Sequence, residues 1–143
     1  MAAPLYTADI LRLATQIPHL DRLADPDASI ERRSPVCGSR IVVDVETDDA
    51  GRVTALGQEV RACALGQASA ALMGQHAIGK SAQELATARD ALTLFLAGQS
   101  DDPGDWPGLE IFRAAIPHSA RHASIRLPFE AIAMAVTQAR IGA

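Results

Sequence analysis

Residues 40–73 read RIVVDVETDDAGRVTALGQEVRACALGQASAALM, and a change of period inside this stretch decides the fold. From Arg40 to Glu46 the pattern alternates, with Ile41, Val43 and Val45 on one face and Val42, Asp44 and Glu46 on the other. Period two in β-branched residues predicts a half-buried strand. Asp48-Asp49-Ala50-Gly51 is turn chemistry, and Arg52 to Leu56 starts the returning strand of a hairpin. Gln58 to Ala62 is expected to add a third strand, with Gly57 at a bend or bulge. After Cys63 the alternation stops, and the alanine-rich run Ala64 to Met73 predicts a helix. A sheet of three antiparallel strands is too small to stand alone, so helices must cover one face.

On the N-terminal side, Leu5, Ala8, Ile10, Leu13, Ala14 and Ile17 fall near helical spacing, and Pro18 ends that helix. His19 to Pro35 is polar and proline-punctuated and reads as a long connection without regular structure. Its Glu31-Arg32-Arg33 segment reads as solvated loop, with contact to a partner as the alternative. On the C-terminal side, Ser81 and Glu84 form an S-x-x-E capping signature. The helix behind it buries Leu85, Ala88, Leu92, Phe95 and Leu96 and stops at Gly98. Gln99 to Pro107 reads as an acidic surface loop carrying Trp106, followed by a short helix from Leu109 to Ala115. A last helix is expected to begin at Pro128 and run through Ala131, Ile132, Ala135 and Val136. The class is therefore α+β: a small three-stranded antiparallel sheet packed on one face by helices, in a single domain over residues 1–143.

Composition narrows the function. Among 143 residues, 48% are hydrophobic and 21% charged, as in a globular chain. A formal net charge of −4 gives no electrostatic reason to bind nucleic acid or an anionic membrane surface. Five aromatics (Tyr6, Phe95, Trp106, Phe112 and Phe129) are too few and scattered to stack bases. The first residues show no basic segment followed by an apolar one, and no apolar run is long enough to span a membrane. The expected compartment is the cytoplasm, where thiols stay reduced. Residues 74–81, GQHAIGKS, have phosphate-loop spacing but lie between two predicted helices rather than after a strand, so they carry no nucleotide site.

Only two cysteines occur, Cys37 and Cys63, too few for a disulfide framework or a four-cysteine zinc site. Cys37 precedes the first predicted strand, and Gly38 beside it permits a sharp turn. Cys63 opens the alanine-rich helix, where free backbone N–H groups and the helix dipole attract negative charge. One hairpin separates the two, and a hairpin returns its ends to the same edge of a sheet. They are either partners in a metal site or two small buried hydrophobes.

Pro35, Cys37, Gly38 and Arg40, then Asp49, Gly51 and Arg52, then Cys63, Ala64, Ala68, Ser69, Ala70 and Met73 form a pattern. It resembles the U-type iron–sulfur cluster assembly scaffolds, the NifU N-terminal-domain and IscU/SufU family. The resemblance runs from about Leu5 to Val136 and is nearer the SufU-like branch, because of the longer insertion before Leu109. It implies a non-enzymatic scaffold that accepts iron and sulfide, builds a cluster on three cysteines helped by an aspartate or histidine, and passes it on. Implied partners are a cysteine desulfurase and downstream cluster-accepting proteins. The first two family cysteines map onto Cys37 and Cys63. The family aspartate falls on Ser39 and the third cysteine on Ser124. The histidine that some members carry just before that cysteine falls on Ala123, with His122 one position away. The implied ligand set for a cluster, or for an iron or zinc ion, is thus Cys37, Cys63 and His122, with hydroxyls at Ser39 and Ser124. Read without the resemblance, His122 is first a surface residue at a helix end, and a ligand second. Two alternatives keep the same architecture: a persulfide sulfur acceptor using Cys37 as nucleophile, and a non-metal adaptor in cluster assembly.

Overall fold

A computed structural model describes residues 5–35 and 38–142. The order is α1 (Ala8–Ala14), β1 (Ala28–Arg33), β2 (Arg40–Thr47), β3 (Val53–Arg61), α2 (Ala64–His76) and α3 (Ala82–Leu96). Two 3₁₀ segments (Leu109–Ala115 and Ser119–Arg121) then lead into α4 (His122–Gly142). The strands form one antiparallel sheet in the order β1-β2-β3. The expected class is the observed one: three antiparallel strands covered on one face by helices.

The identity of the strands differs from expectation. Residues 28–33, read as irregular loop, form the edge strand β1 and pair with β2 from Ala28↔Val45 to Arg33↔Arg40. The two strands expected on either side of Gly57 are one continuous strand, β3, with Gly57 opposite Asp44. The register shift lies at Glu46/Thr47, beside the hairpin turn.

Gly57 has a different purpose from a bend. A Cβ there would lie 2.6 Å from the Asp21 carbonyl oxygen and 2.9 Å from the Leu23 nitrogen. The chain between α1 and β1 therefore crosses the outer sheet face in backbone contact with β3. Gln58 N–H donates to His19 C=O at 2.7 Å, and its side-chain amide donates to Pro18 C=O at 3.1 Å. Fully buried Asp44 accepts from the Arg22 guanidinium at 2.6 and 3.1 Å, from Leu23 N–H at 3.0 Å and from the Ser29 hydroxyl. Gly57→Ala should lower stability by about 2 kcal/mol or more, because the obstructing atoms are backbone and cannot rotate away. Denaturant midpoints test this, and hydrogen exchange at Gln58 N–H should accelerate; unchanged exchange would mean that the crossing segment does not press on Gly57.

The opposite face is the core. Ile41, Val43 and Val45 are buried, as the alternation of β2 required, and α4 packs against β1 and β2 while also meeting α2 and α3. Phe95, Phe112 and Phe129 are fully buried in this one cluster. Trp106, expected on a surface loop, is only 6% exposed; its indole N–H donates to Leu72 C=O at 2.9 Å, and its ring meets Phe129 edge-on. α3 begins with the capping box foreseen at Ser81 and Glu84. α4 begins at His122, not at Pro128, which lies inside the helix. A proline there withdraws the N–H that Ser124 C=O would otherwise accept. Next to that position, the Ser69 hydroxyl of α2 donates to Ile125 C=O at 2.5 Å. Starting α4 six residues earlier is what brings Ser124 to the functional site.

Candidate functional site

Three elements converge at one end of the sheet. Cys63 is the N-cap residue of α2, half-buried, and its side chain makes no capping bond to the helix. Ser124 stands in the first turn of α4 and is fully buried. Ser39 immediately precedes β2 and is buried as well. The Ser124 hydroxyl lies 2.9 Å from Ser39 Oγ and 3.3 Å from Cys63 Sγ. Positions 39, 63 and 124 are far apart in the chain, and the sheet end, α2 and α4 deliver them to one point.

Gly66 makes this approach feasible. A Cβ on Gly66 would stand 2.6 Å from Ser124 Oγ and 2.7 Å from Ala62 Cβ. The first turns of α2 and α4 can touch through the site only where one of them carries no side chain. Sequence reasoning did not single out Gly66; the one signal was a glycine one turn into an otherwise alanine-rich helix, a position where glycine weakens the helix without a packing reason.

Cys37 lies outside the described residues. The connection that contains it joins β1 to β2, and Ser34 N–H donates to Ser39 C=O at 2.8 Å across its ends. His122 opens α4, yet its Nε2 lies 2.8 Å from Ala115 C=O and 3.1 Å from Ile116 C=O. Carbonyl oxygens only accept, so Nε2 carries the proton and the ring's lone pair is on Nδ1. The structure thus gathers Ser39, Cys63 and Ser124 and turns one nitrogen of His122 to the backbone. Among the described residues, no group of three His, Cys, Asp or Glu side chains could hold a metal ion.

The donor chemistry of the gathered set is one sulfur and two hydroxyl oxygens. Clusters are held by thiolates, and a serine hydroxyl keeps its proton at neutral pH. Here the hydroxyls have another occupation, since Ser124 joins Ser39 and Cys63 in one hydrogen-bonded chain. Burial of these polar groups is offset by the bonds they make to one another. A three-thiolate cluster does not fit the described residues as they stand.

No family model and no curated protein matches the chain. Solved structures do. The chain is similar to the N-terminal part of a nitrogen-fixing NifU-like protein from Brucella abortus, with 37% identity and a TM-score of 0.91 over 97% of this chain and 96% of that one. It is also similar to an iron–sulfur cluster assembly scaffold protein for the SUF system from thermophilic Fervidobacterium islandicum AW-1, at 19% identity and a TM-score of 0.84 over 92% and 96% of the two chains. A hypothetical protein matches at 21% identity and a TM-score of 0.79 over 91% and 95%. At 19% and 21% identity these last two show a shared fold alone.

Proposed function

The chain belongs to the NifU N-terminal-like family of iron–sulfur cluster assembly scaffolds, and from that premise we propose that it handles its cargo with an incomplete set of ligands. The cargo is a small iron–sulfur cluster or its iron, with zinc as the other ion that two thiols and an imidazole would take. Cys37 and Cys63 supply the thiolates. His122 contributes through Nδ1. Ser39 and Ser124 occupy ligand positions of the family with hydroxyls, so that the cargo is held weakly and leaves readily. The partners are a cysteine desulfurase, which supplies sulfur, and the proteins that accept the cluster.

The observation that carries this reading is the convergence of Ser39, Cys63 and Ser124 on one buried oxygen. Positions 39, 63 and 124 are, on this reading, three of the ligand positions, one keeping its cysteine and two carrying hydroxyls. No helix among the described residues is long and apolar enough to cross a membrane. The sulfur-acceptor alternative also draws on the geometry, because a Cys63 sulfur bonded to a buried hydroxyl leaves Cys37 as the thiol for attack.

Anaerobic reconstitution with ferrous iron and sulfide, read as metal and sulfide per chain, tests the proposal. The wild-type chain should load below one cluster per pair of chains and lose it to a chelator within minutes; Cys37→Ala and Cys63→Ala should each abolish loading. Loading that ignores both substitutions would sink the reading. Desulfurase stimulation that Cys37→Ser abolishes, in a chain that never takes up metal, would replace it with the sulfur-acceptor role.

A further inference from the structure

The residues at one end of the sheet form rows of charge. Arg33, Arg40 and Arg61 are direct cross-strand partners on β1, β2 and β3. The next row on the same face is Glu31, Val42 and Glu59. Like charges opposite one another in a ladder are destabilising, and the two carboxylates offset this unevenly. Arg40 donates to Glu31 at 2.7 and 2.9 Å and to Glu59 at 2.7 Å. Arg33 shares Glu31, at 3.1 Å. These bonds, that from Arg40 first and that from Arg33 second, hold the Glu31 carboxyl below the ordinary carboxylate range. Arg61 has no ion pair among the described residues and is exposed. Three guanidiniums against two carboxylates leave this corner positive on a chain whose net charge is −4.

The row borders an open hollow of about 470 Å³ lined by Arg33, Gly38, Arg40, Glu59 and Arg61. Gly38 directly follows Cys37 in the sequence. Central Arg40 is held in place by both glutamates, whereas the outer two keep more of their N–H donors free for a visitor. A guanidinium fork matches a carboxylate with two parallel bonds, more specifically than it would match a point charge. The outer arginines, on β1 and β3 either side of β2, stand about 10 Å apart at the backbone, two strand spacings. That separation suits successive carboxylates on a protein segment, and it is too short a track for a nucleic-acid backbone on so acidic a chain.

We infer that Arg33, Arg40 and Arg61 form the docking site for an acidic segment of the protein that delivers sulfur, seating that protein beside the connection that carries Cys37. The inference rests on the desulfurase partnership proposed above and adds the surface and the chemistry that recognises it.

The test uses the full chain and a SUF-type cysteine desulfurase as probe, with binding measured by calorimetry over a range of salt. The double variant Arg33→Glu/Arg61→Glu leaves Arg40 and its two carboxylates in place. The control, Arg12→Glu/Arg89→Glu, changes net charge by the same amount at exposed Arg12 on α1 and half-buried Arg89 on α3. Wild-type affinity should fall as salt rises; the row variant should bind at least tenfold more weakly with a flatter salt dependence, and the control should stay within about twofold. If the reversal disturbs folding by circular dichroism, Arg33→Gln/Arg61→Gln replaces it, with an intermediate loss expected. Row variants that bind as tightly as wild type, or a control that weakens equally, overturn the inference and leave the partnership standing. A wild-type chain that does not bind the desulfurase overturns both. A concentration-dependent dimer that the row variant dissolves would assign the row to a second copy of this chain, whose acidic hairpin end carries Asp27, Asp48 and Asp49, and would likewise overturn it.

Discussion

Asp44→Ala should lower stability by about 3 kcal/mol, the largest loss expected from any single polar substitution in the sheet. Asp44 is fully buried on the outer face, where the alternation of β2 places a charged side chain under the segment crossing from α1 to β1. Its partners are Arg22, Ser29 and Leu23 N–H. Removing the carboxylate returns half-exposed Arg22 to water at little cost but leaves the Leu23 N–H and the Ser29 hydroxyl without their acceptor. That asymmetry puts the estimate at the lower end for breaking a buried pair. The same bonds set a pH dependence. Burial pushes the Asp44 carboxyl up, but the hydrogen bonds from Arg22, Ser29 and Leu23 outweigh it, so the net displacement is downward. A carboxylate depressed in the folded state stabilises fully above its unfolded value of about 4 and loses that contribution as pH falls through the folded one. Wild-type stability should therefore drop more steeply on acidification than that of Asp44→Asn. Parallel acid titrations of the two chains would contradict the assignment.

The core face of the sheet was legible because its pattern is strict: Ile41, Val43 and Val45 point inward without exception, and the alanine-rich run after Cys63 has no strand reading. β1 was not legible, for a physical reason. It is an edge strand, its only large apolar side chain is Ile30, and its inward position nearest the site is Arg32, which reaches over α4 to Glu130 and the Met134 sulfur. An arginine whose stem covers a helix hides the period that a valine would have declared. Gly57 misled because a glycine in a strand has two meanings, a bend or a close backbone approach, and only the crossing segment distinguishes them. Pro128 misled in the same way, since proline marks a first helical turn more often than an interior one. The site was legible only through the family pattern. Ser39 and Ser124 are ordinary serines until the fold places them on either side of one hydrogen bond, 85 positions apart. Arg33, Arg40 and Arg61 needed the strand register, because their alignment is a property of pairing and not of spacing along the chain.

Ser124→Cys combined with Ser39→Asp should convert weak loading into stable loading, with cluster or iron lost to a chelator at least tenfold more slowly than from wild type. The argument is geometric first. Ser124 Oγ already stands 3.3 Å from Cys63 Sγ, so a sulfur on that Cβ adds a thiolate where two ligands of one tetrahedral metal must meet. Gly66 sets no side chain against the new sulfur, but Ser124 Oγ already fills the space a Cβ there would take, so the larger atom carries a packing penalty of about 1–3 kcal/mol. Ser39→Asp then brings a carboxylate oxygen to the same point, and here burial has a consequence that can be measured. Position 39 is 2% exposed, so without metal the new carboxylate bears the cost of burial. The metal-free double variant should be less stable than wild type by about 1–3 kcal/mol. Metal should return that loss, because binding to the folded state alone is stabilisation. The variant should thus show a metal-dependent rise in Tm much larger than that of the wild-type chain, a readout independent of cluster colour. Cys63→Ala in the same background should erase both the loading and the rise in Tm, since the added groups converge on that sulfur. A double variant that gains neither stability nor retention from metal would show that positions 39, 63 and 124 meet for packing alone, and the ligand reading of this site would fall with it.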